Sequence, residues 1–115
     1  MAAQGKTSEI NILIQLNEDK IPEKITWQAS DSTAEGPQET KAFLLSMWDP
    51  HYKETLRIDL WTKEMQQEEM NVFFFQTFMT MADTYLRANN DPSIVEEIKE
   101  FAYRFGEKVQ VIKRK

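Results

Sequence analysis

The sequence predicts a single α+β domain in which a three-stranded, mostly antiparallel sheet is accompanied by three helices, in the order β-β-α-β-α-α. Two observations predict this class: three short segments alternate between apolar and polar residues, and three others carry apolar residues at helical spacing. A length of 115 residues suits one core, because a chain of this size buries about two-thirds of its unfolded surface. The sequence contains no cysteine, so the fold cannot depend on disulfides.

The first two strands are predicted to form an antiparallel hairpin, because residues 17–22 between them are typical of a turn. The core face of this hairpin carries Ile10, Ile12, Ile14 and Leu16 from the first strand and Ile25, Trp27 and Ala29 from the second. Leu13 adds an apolar side chain to the outer face of the first strand. This favours the first strand as the central one, in the strand order second, first, third.

A helix is predicted between the second and third strands. Pro37 suits its first turn, and Pro50 ends it because a proline disfavours the α conformation of the preceding residue, Asp49. The residues at helical spacing between them are Thr40, Phe43, Leu44, Met47 and Trp48. In the third strand, the core face carries Leu56, Ile58 and Leu60, and the outer face carries Arg57, Asp59 and Trp61.

The second predicted helix runs from about Gln66 to Ala88, is capped by Thr62 and is apolar on two sides. One stripe consists of Met70, Phe74, Thr77, Met81 and Tyr85, and the other of Phe75, Met79, Ala82 and Leu86. Asp91 and Pro92 predict the N-cap and first residue of a last helix, and Gly106 marks its end or a weak point near it. Because one last helix does not cover both stripes, we expect the protein to form a two-fold homodimer.

Composition and charge predict where the domain begins and ends and which classes of partner to expect. Residues 1–8 are predicted to be a flexible N-terminus, residues 9–110 the α+β domain, and residues 111–115 a basic C-terminal tail. The formal net charge of -5 opposes non-specific attraction to phosphate backbones, so we expect no nucleic-acid partner. No segment has the roughly 20 mostly apolar residues of a membrane-spanning helix, and residues 1–8 lack the apolar core of a signal peptide. A cytoplasmic protein that is not transmembrane is therefore expected.

The sequence contains no recognisable catalytic or metal-binding group. Its one histidine, His51, has no second imidazole with which to share a metal, and neither a Gly-x-Ser-x-Gly turn nor a Gly-rich loop is present. Glu64, Glu68 and Glu69 are acidic residues of the kind that the first turn of a helix favours. We therefore expect a protein that is not an enzyme, with no catalytic residues, no metal and no cofactor.

The outer face of the third strand supplies the candidate partner-binding residues: Arg57, Asp59 and Trp61. Trp and Arg are enriched among the residues that dominate the energy of protein contacts. Two other interpretations stay open: the face is merely solvated, or Arg57 and Asp59 pair with each other. Likewise, two interpretations stay open for the methionines of the second helix and of the residues just before it: they form part of the core, or they form an adaptable binding groove.

Residues 55–91 contain a distinctive series of short segments: Thr62-Lys63-Glu64-Met65, Glu69-Met70, Phe73-Phe74, Gln76-Thr77, Asp83-Thr84 and Arg87-Ala88. With these segments the block shows a resemblance to the small gliding-motility proteins of the GldC family. The resemblance extends, in the same order along the chain, to Ile21-Pro22-Glu23-Lys24 with Trp27, to Leu44-Leu45-Ser46-Met47-Trp48-Asp49, and to the segment from Phe101 to Lys108. The family offers no catalytic residues to carry over.

The resemblance implies an accessory protein of bacterial gliding motility, whose partners are other gliding-motility or associated secretion proteins. Because no catalytic group is recognised, we expect it to act through protein–protein contacts. The alternative is a small-molecule-binding or regulatory α+β domain with an apolar pocket between sheet and helices, walled by phenylalanine and methionine side chains.

Overall fold

The computed structural model describes residues 5–31, 33 and 35–114. The chain divides into two compact units, Met1–Met65 and Gln66–Lys115. The described part of the first unit forms the strands β1 (Ile10–Leu16), β2 (Pro22–Ala29), β3 (Gln38–Thr40), β4 (Ala42–Asp49) and β5 (Glu54–Trp61). The second unit contains the helices α1 (Gln67–Asn89) and α2 (Pro92–Lys108). The α+β class is confirmed, whereas the predicted domain boundaries stay a prediction; residues 1–4 and 115 of the predicted ends lie outside the described residues.

The β1–β2 hairpin has the predicted antiparallel pairing and alternation, but the prediction that Ile10 and Leu16 belong to the core face is wrong, because they are 75% and 50% exposed at the two ends of β1. Ile12 lies opposite Trp27 and Ile14 lies opposite Ile25, so these four side chains share one face. Ile25 is fully buried and anchors that face. In the connecting turn, the Asn17 side chain accepts hydrogen bonds from the backbone N–H groups of Asp19 and Ile21, at 2.8 and 3.0 Å.

The predicted order of the strands is wrong. A short strand that the sequence did not reveal, β3, pairs antiparallel with β2, so that β2 is central and β1 lies at the edge of a β1-β2-β3 sheet. The third strand of the prediction, β5, pairs with β4 in a separate two-stranded sheet. Leu13, which on the outer face of β1 favours a central strand, is 67% exposed on this edge strand.

The predicted helix between the second and third strands is also wrong, and its apolar residues form β4. Phe43 lies opposite Leu60 and Leu45 opposite Ile58 in an antiparallel hairpin with β5. The turn depends on Asp49, whose carbonyl accepts the Lys53 N–H at 2.8 Å and whose carboxylate accepts the His51 N–H at 2.9 Å. Residues 42–48 are apolar on both faces, so the same run satisfies helical and strand periodicity. This segment forms a strand because its backbone pairs with β5.

The helices of the second unit begin and end close to the predicted positions. The N-cap of α1 is Gln66 and not Thr62; the Thr62 N–H instead donates to the Lys41 carbonyl at 2.8 Å. Asn90 ends α1 in the left-handed conformation, and the Asp91 carboxylate caps α2 by accepting the N–H groups of Ser93 and Ile94. The described residues thus form two helices where three were predicted, because residues 42–49 are a strand.

The stripe of α1 that contains Phe75 and Ala82 packs against α2. The Phe75 ring lies 6.5 Å from the Tyr103 ring, and the Phe78 ring lies 5.2 Å from Phe101 and 5.3 Å from Phe105. Ala82 is fully buried. On the other stripe, Met81 is 56% exposed, so the predicted apolar surface on a second side of this helix is confirmed at that position.

Gly106 lies inside α2, two residues before the helix ends at Lys108. It is buried, and a Cβ atom at this position would lie 2.8 Å from Cδ1 of Phe75 and 3.0 Å from Cγ1 of Ile112. The glycine therefore permits a close approach between α1, α2 and the chain that follows.

We expect Ile25→Ala to lower the free energy of unfolding of the first unit by about 2–5 kcal/mol, because the substitution leaves a cavity at a fully buried position. Tryptophan fluorescence during denaturation reports on this unit specifically, since all three tryptophans lie in it. Gln28→Ala is the matched control on β2, where an exposed side chain is expected to change stability by less than about 0.5 kcal/mol. Equal effects of the two substitutions would contradict the assignment of faces.

We expect Gly106→Ala to destabilise the helix pair, although alanine is favoured over glycine in a helix by about 1 kcal/mol. The reason is the 2.8 Å approach to the Phe75 ring. Denaturation followed by far-ultraviolet circular dichroism measures the effect. In a Phe75→Leu background, the same substitution should cost less, since the smaller side chain makes room for the Cβ. A Gly106→Ala variant that is more stable than the parent would show that the contact is not restrictive.

Candidate protein-binding site

The β4–β5 hairpin has two faces that differ in chemistry. Because paired residues in an antiparallel ladder point to the same side, the register assigns each side chain to a face. The aliphatic face consists of Phe43, Leu45, Met47, Leu56, Ile58 and Leu60. The tryptophan face carries Leu44, Ser46, Trp48, Arg57, Asp59 and Trp61.

The three residues predicted from the sequence as a partner site lie together on the tryptophan face. Arg57 is opposite Ser46, Asp59 is opposite Leu44, and all of these side chains are exposed. Trp61 is 54% exposed at the end of β5. The predicted alternation, with Arg57, Asp59 and Trp61 pointing away from the side of Ile58, is confirmed.

Sequence reasoning missed two apolar residues of the tryptophan face because it placed them in a helix. Leu44 is 42% exposed, and Trp48 is 63% exposed opposite Thr55. Trp61 lies opposite Ala42, six residues before Trp48 along β4, so the two indoles mark the ends of a strip about 20 Å long. The signal was present in the alternation of Leu44, Ser46 and Trp48, which a period of two would have placed on one side.

The charges of this face are not paired with each other. In the part of the chain that the structure describes, no hydrogen bond or ion pair joins Arg57 to Asp59, so the alternative in which the two side chains pair with each other is not seen. The guanidinium and the carboxylate are both exposed to solvent. Each can therefore bond to a partner without first breaking a contact to the other.

The aliphatic face is less buried than the sequence suggested. Met47, Leu56 and Ile58 are 46%, 47% and 46% exposed. Phe43, Leu45 and Leu60, toward the open end of the hairpin, are half-buried. Large apolar side chains are thus accessible on both faces of this hairpin.

A second feature lies on the helix pair, where the chain after α2 is hydrogen-bonded to that helix. The Arg114 guanidinium donates hydrogen bonds to both carboxylate oxygens of Glu100, at 3.1 and 3.0 Å, and to Glu107 at 2.9 Å. It also lies 5.2 Å from the centre of the Tyr103 ring. The hydrogen bonds from Arg114 lower the pKa of Glu100, and the same bonds raise the pKa of Arg114.

The remaining candidates from the sequence are spread over the surface. The His51 ring packs edge-on against Tyr52 in the β4–β5 turn, and the Glu69 carboxylate accepts the Gln66 N–H at 3.0 Å. No three His, Asp or Glu side chains of the described residues are grouped so as to hold a metal ion. A groove of about 490 Å³ runs along α2, lined by Phe101, Arg104, Phe105, Lys108 and Val109.

Neither helix is long and apolar enough to cross a membrane, a finding that covers residues 5–31, 33 and 35–114. In a comparison with protein families, residues 22–111 match the family described as gliding motility-associated protein GldC-like. The match spans more than half of the chain, from the start of β2 to beyond the end of α2, so the chain belongs to the GldC-like family and is associated with gliding motility. No curated protein and no solved structure matches the chain.

Proposed function

We propose that this chain is a non-enzymatic accessory protein of bacterial gliding motility, which acts in the cytoplasm by binding other proteins through the tryptophan face. Membership of the GldC-like family indicates the process, which is gliding motility. The observation that carries the mechanism is the exposure of Trp48 and Trp61, at 63% and 54%, on the same side of the hairpin as Arg57. Its partners are other gliding-motility proteins or associated secretion proteins.

The side chains of the tryptophan face are better suited to contact with another protein than to contact with solvent. An indole buries a large apolar area and loses little side-chain entropy when it is fixed, and a guanidinium presents several hydrogen-bond donors. Such residues account for most of the binding energy in protein interfaces. The intervening Ser46 and Asp59 add hydrogen-bonding groups, so this face resembles an apolar binding patch with polar contacts between its anchors.

A nucleic-acid partner is not favoured. The net charge of -5 works against phosphate binding, and Arg57 shares its face with the oppositely charged Asp59. The alternative function, binding of a small molecule in an apolar pocket, has weaker support. The groove of about 490 Å³ is lined by α2 and the residue after it alone, and a groove on one helix encloses little of a ligand.

We expect the double variant Arg57→Ala/Trp61→Ala to fold like the parent and to recover less of the motility partners in a cross-linking pull-down from the native cell. The reason is that an exposed aromatic and a guanidinium together contribute several kcal/mol to a contact, about 2 kcal/mol or more for each anchor. Circular dichroism and thermal unfolding establish that the fold is retained.

The matched control for that experiment is Lys24→Ala/Gln28→Ala, which removes one positive charge and one exposed polar side chain from β2. Its pull-down should equal that of the parent. If the double variant on β5 recovers the same partners at unchanged yield, the tryptophan face is merely solvated and the proposed contact site is wrong.

We also propose that the protein is a two-fold homodimer. Apolar side chains that remain accessible in a single chain, such as Met81 at 56% and Ile10 at 75%, favour association because it removes them from water. Light scattering coupled to size-exclusion chromatography should give twice the chain mass of 13.6 kDa at micromolar concentration. A strict monomer under these conditions would contradict self-association.

A further inference from the structure

The outer edge of β1 presents backbone hydrogen-bonding groups that pair with no other strand of the described residues. Ser30 donates its N–H to the carbonyl of Glu9 at 3.0 Å, which fixes Glu9 as a residue whose backbone points toward β2. By the alternation of an antiparallel ladder, Asn11, Leu13 and Gln15 also point their backbone groups toward β2. The even-numbered residues therefore direct theirs outward, and among the described residues β1 pairs with β2 alone.

The register irregularity near the end of the hairpin leaves this edge intact. Gln15 pairs with Lys24 and Leu16 with Pro22, so the additional residue, Glu23, belongs to β2. The alternation of β1 is therefore uninterrupted from Ile10 to Leu16. Since the strand has neither a proline nor a charged side chain, it lacks two of the features that protect sheet edges from pairing with another chain.

The sequence of β1, INILIQL, is a palindrome in chemical class about its central residue, Leu13. Aliphatic residues stand at both ends, then one amide residue on each side, then one isoleucine on each side. Two identical strands that run antiparallel about a two-fold axis at Leu13 would match like with like. Ile10 would face Leu16, Ile12 would face Ile14, and Asn11 would face Gln15 of the other copy.

The register with its axis at Leu13 pairs more residues than the registers with the axis one residue to either side. Centring the axis on Ile12 or on Ile14 shortens the overlap and places Leu13 opposite an amide residue, Asn11 or Gln15. With the axis at Leu13, all seven residues of the strand are paired, and the outward-pointing backbone groups of the even-numbered residues meet one another. Glu9 would face Asn17, so no like charges are brought together at the ends.

The same register gives an apolar neighbour to each of the exposed aliphatic side chains of β1. Ile10 is 75% exposed, Leu13 is 67% exposed and Leu16 is 50% exposed. Leu13 is otherwise out of place, because it lies among Asn11, Gln15 and the β2 residue Gln28 on the polar face of the sheet. In the self-paired arrangement, Leu13 contacts its own copy across the axis.

We propose that two copies of this chain pair through antiparallel β1 strands, with the two-fold axis at Leu13, to form one six-stranded sheet with three strands from each copy. This inference rests on the self-association proposed above and assigns its interface. A second copy is the occupant that the palindrome favours, since an identical antiparallel strand matches the chemical class of every residue of β1. The two strands of the other sheet have no such symmetry: β4 has the sequence AFLLSMWD, and β5 carries Glu54, Arg57 and Asp59.

Cross-linking through a single introduced cysteine tests the position of the axis, because the chain contains no cysteine of its own. Leu13 and its copy would form a non-hydrogen-bonded pair with Cα atoms about 4.5 Å apart, within the roughly 4.4–6.8 Å range that a disulfide spans. Leu13→Cys should therefore oxidise to a covalent dimer, seen on a non-reducing denaturing gel. Gln28→Cys, on the same face but on β2, is the matched control and should stay monomeric on the gel.

The outcomes separate this interface from self-association itself. Efficient cross-linking of Leu13→Cys and not of Gln28→Cys supports the β1 pairing. Suppose instead that light scattering reports a dimer, that Leu13→Cys cross-links no better than the control, and that Met81→Cys on α1 cross-links efficiently. The homodimer is then supported and the β1 interface is wrong. A parent protein that is strictly monomeric overturns both proposals.

Charge substitution at the same position provides a test that does not depend on oxidation. Leu13→Lys and Leu13→Glu each place like charges face to face across the axis, so each should raise the dimer dissociation constant by about tenfold or more. An equimolar mixture of the two variants should recover association as a heterodimer. If each variant dimerises as well as the parent, or if mixing restores nothing, residue 13 does not face its own copy.

Discussion

The antiparallel hydrogen-bond ladder is the constraint on which the strand-containing unit depends. Once Ile14 is opposite Ile25, and once Leu45 is opposite Ile58, every other side chain of the two hairpins is assigned to a face. A shift of one residue in either register would exchange the faces completely. The burial of Ile25, the exposure of Trp61 and the outward backbone groups of Ile12 all follow from these two pairings.

Sequence periodicity predicted the strands β1 and β5, in which aliphatic and mostly polar residues alternate, and the long helix α1. The strand alternation of Ile10 to Leu16 and of Leu56 to Leu60 was sufficient, and the Asp91-Pro92 signal located the start of α2 within a residue. Prediction failed at residues 42–49, because an apolar run on both faces is compatible with a helix and with a strand. It also failed at β3, which is only three residues long and contains no apolar side chain.

The candidate site was predicted in part for the same reason. Arg57, Asp59 and Trp61 lie on one strand, so alternation alone places them together. Their neighbours Leu44 and Trp48 lie on β4, which the sequence predicts to be a helix. Pairing between distant segments is a property of tertiary structure, and a single sequence carries no direct record of it. The register of β4 with β5 adds the apolar residues Leu44 and Trp48 to the predicted Trp61.

The attachment of Arg114 to Glu100 makes one part of the helix pair sensitive to acid. Since the pKa of Glu100 is lowered in the folded chain, the stabilisation from this contact is present at neutral pH and is lost as the pH falls through that lowered value. The contacts of Phe78 with Phe101 and Phe105 involve no titrating group and persist. Acidification therefore weakens the contact of Arg114 with Glu100, whereas the backbone hydrogen bonds from Val111 and Ile112 to the Gly106 carbonyl involve no titrating group.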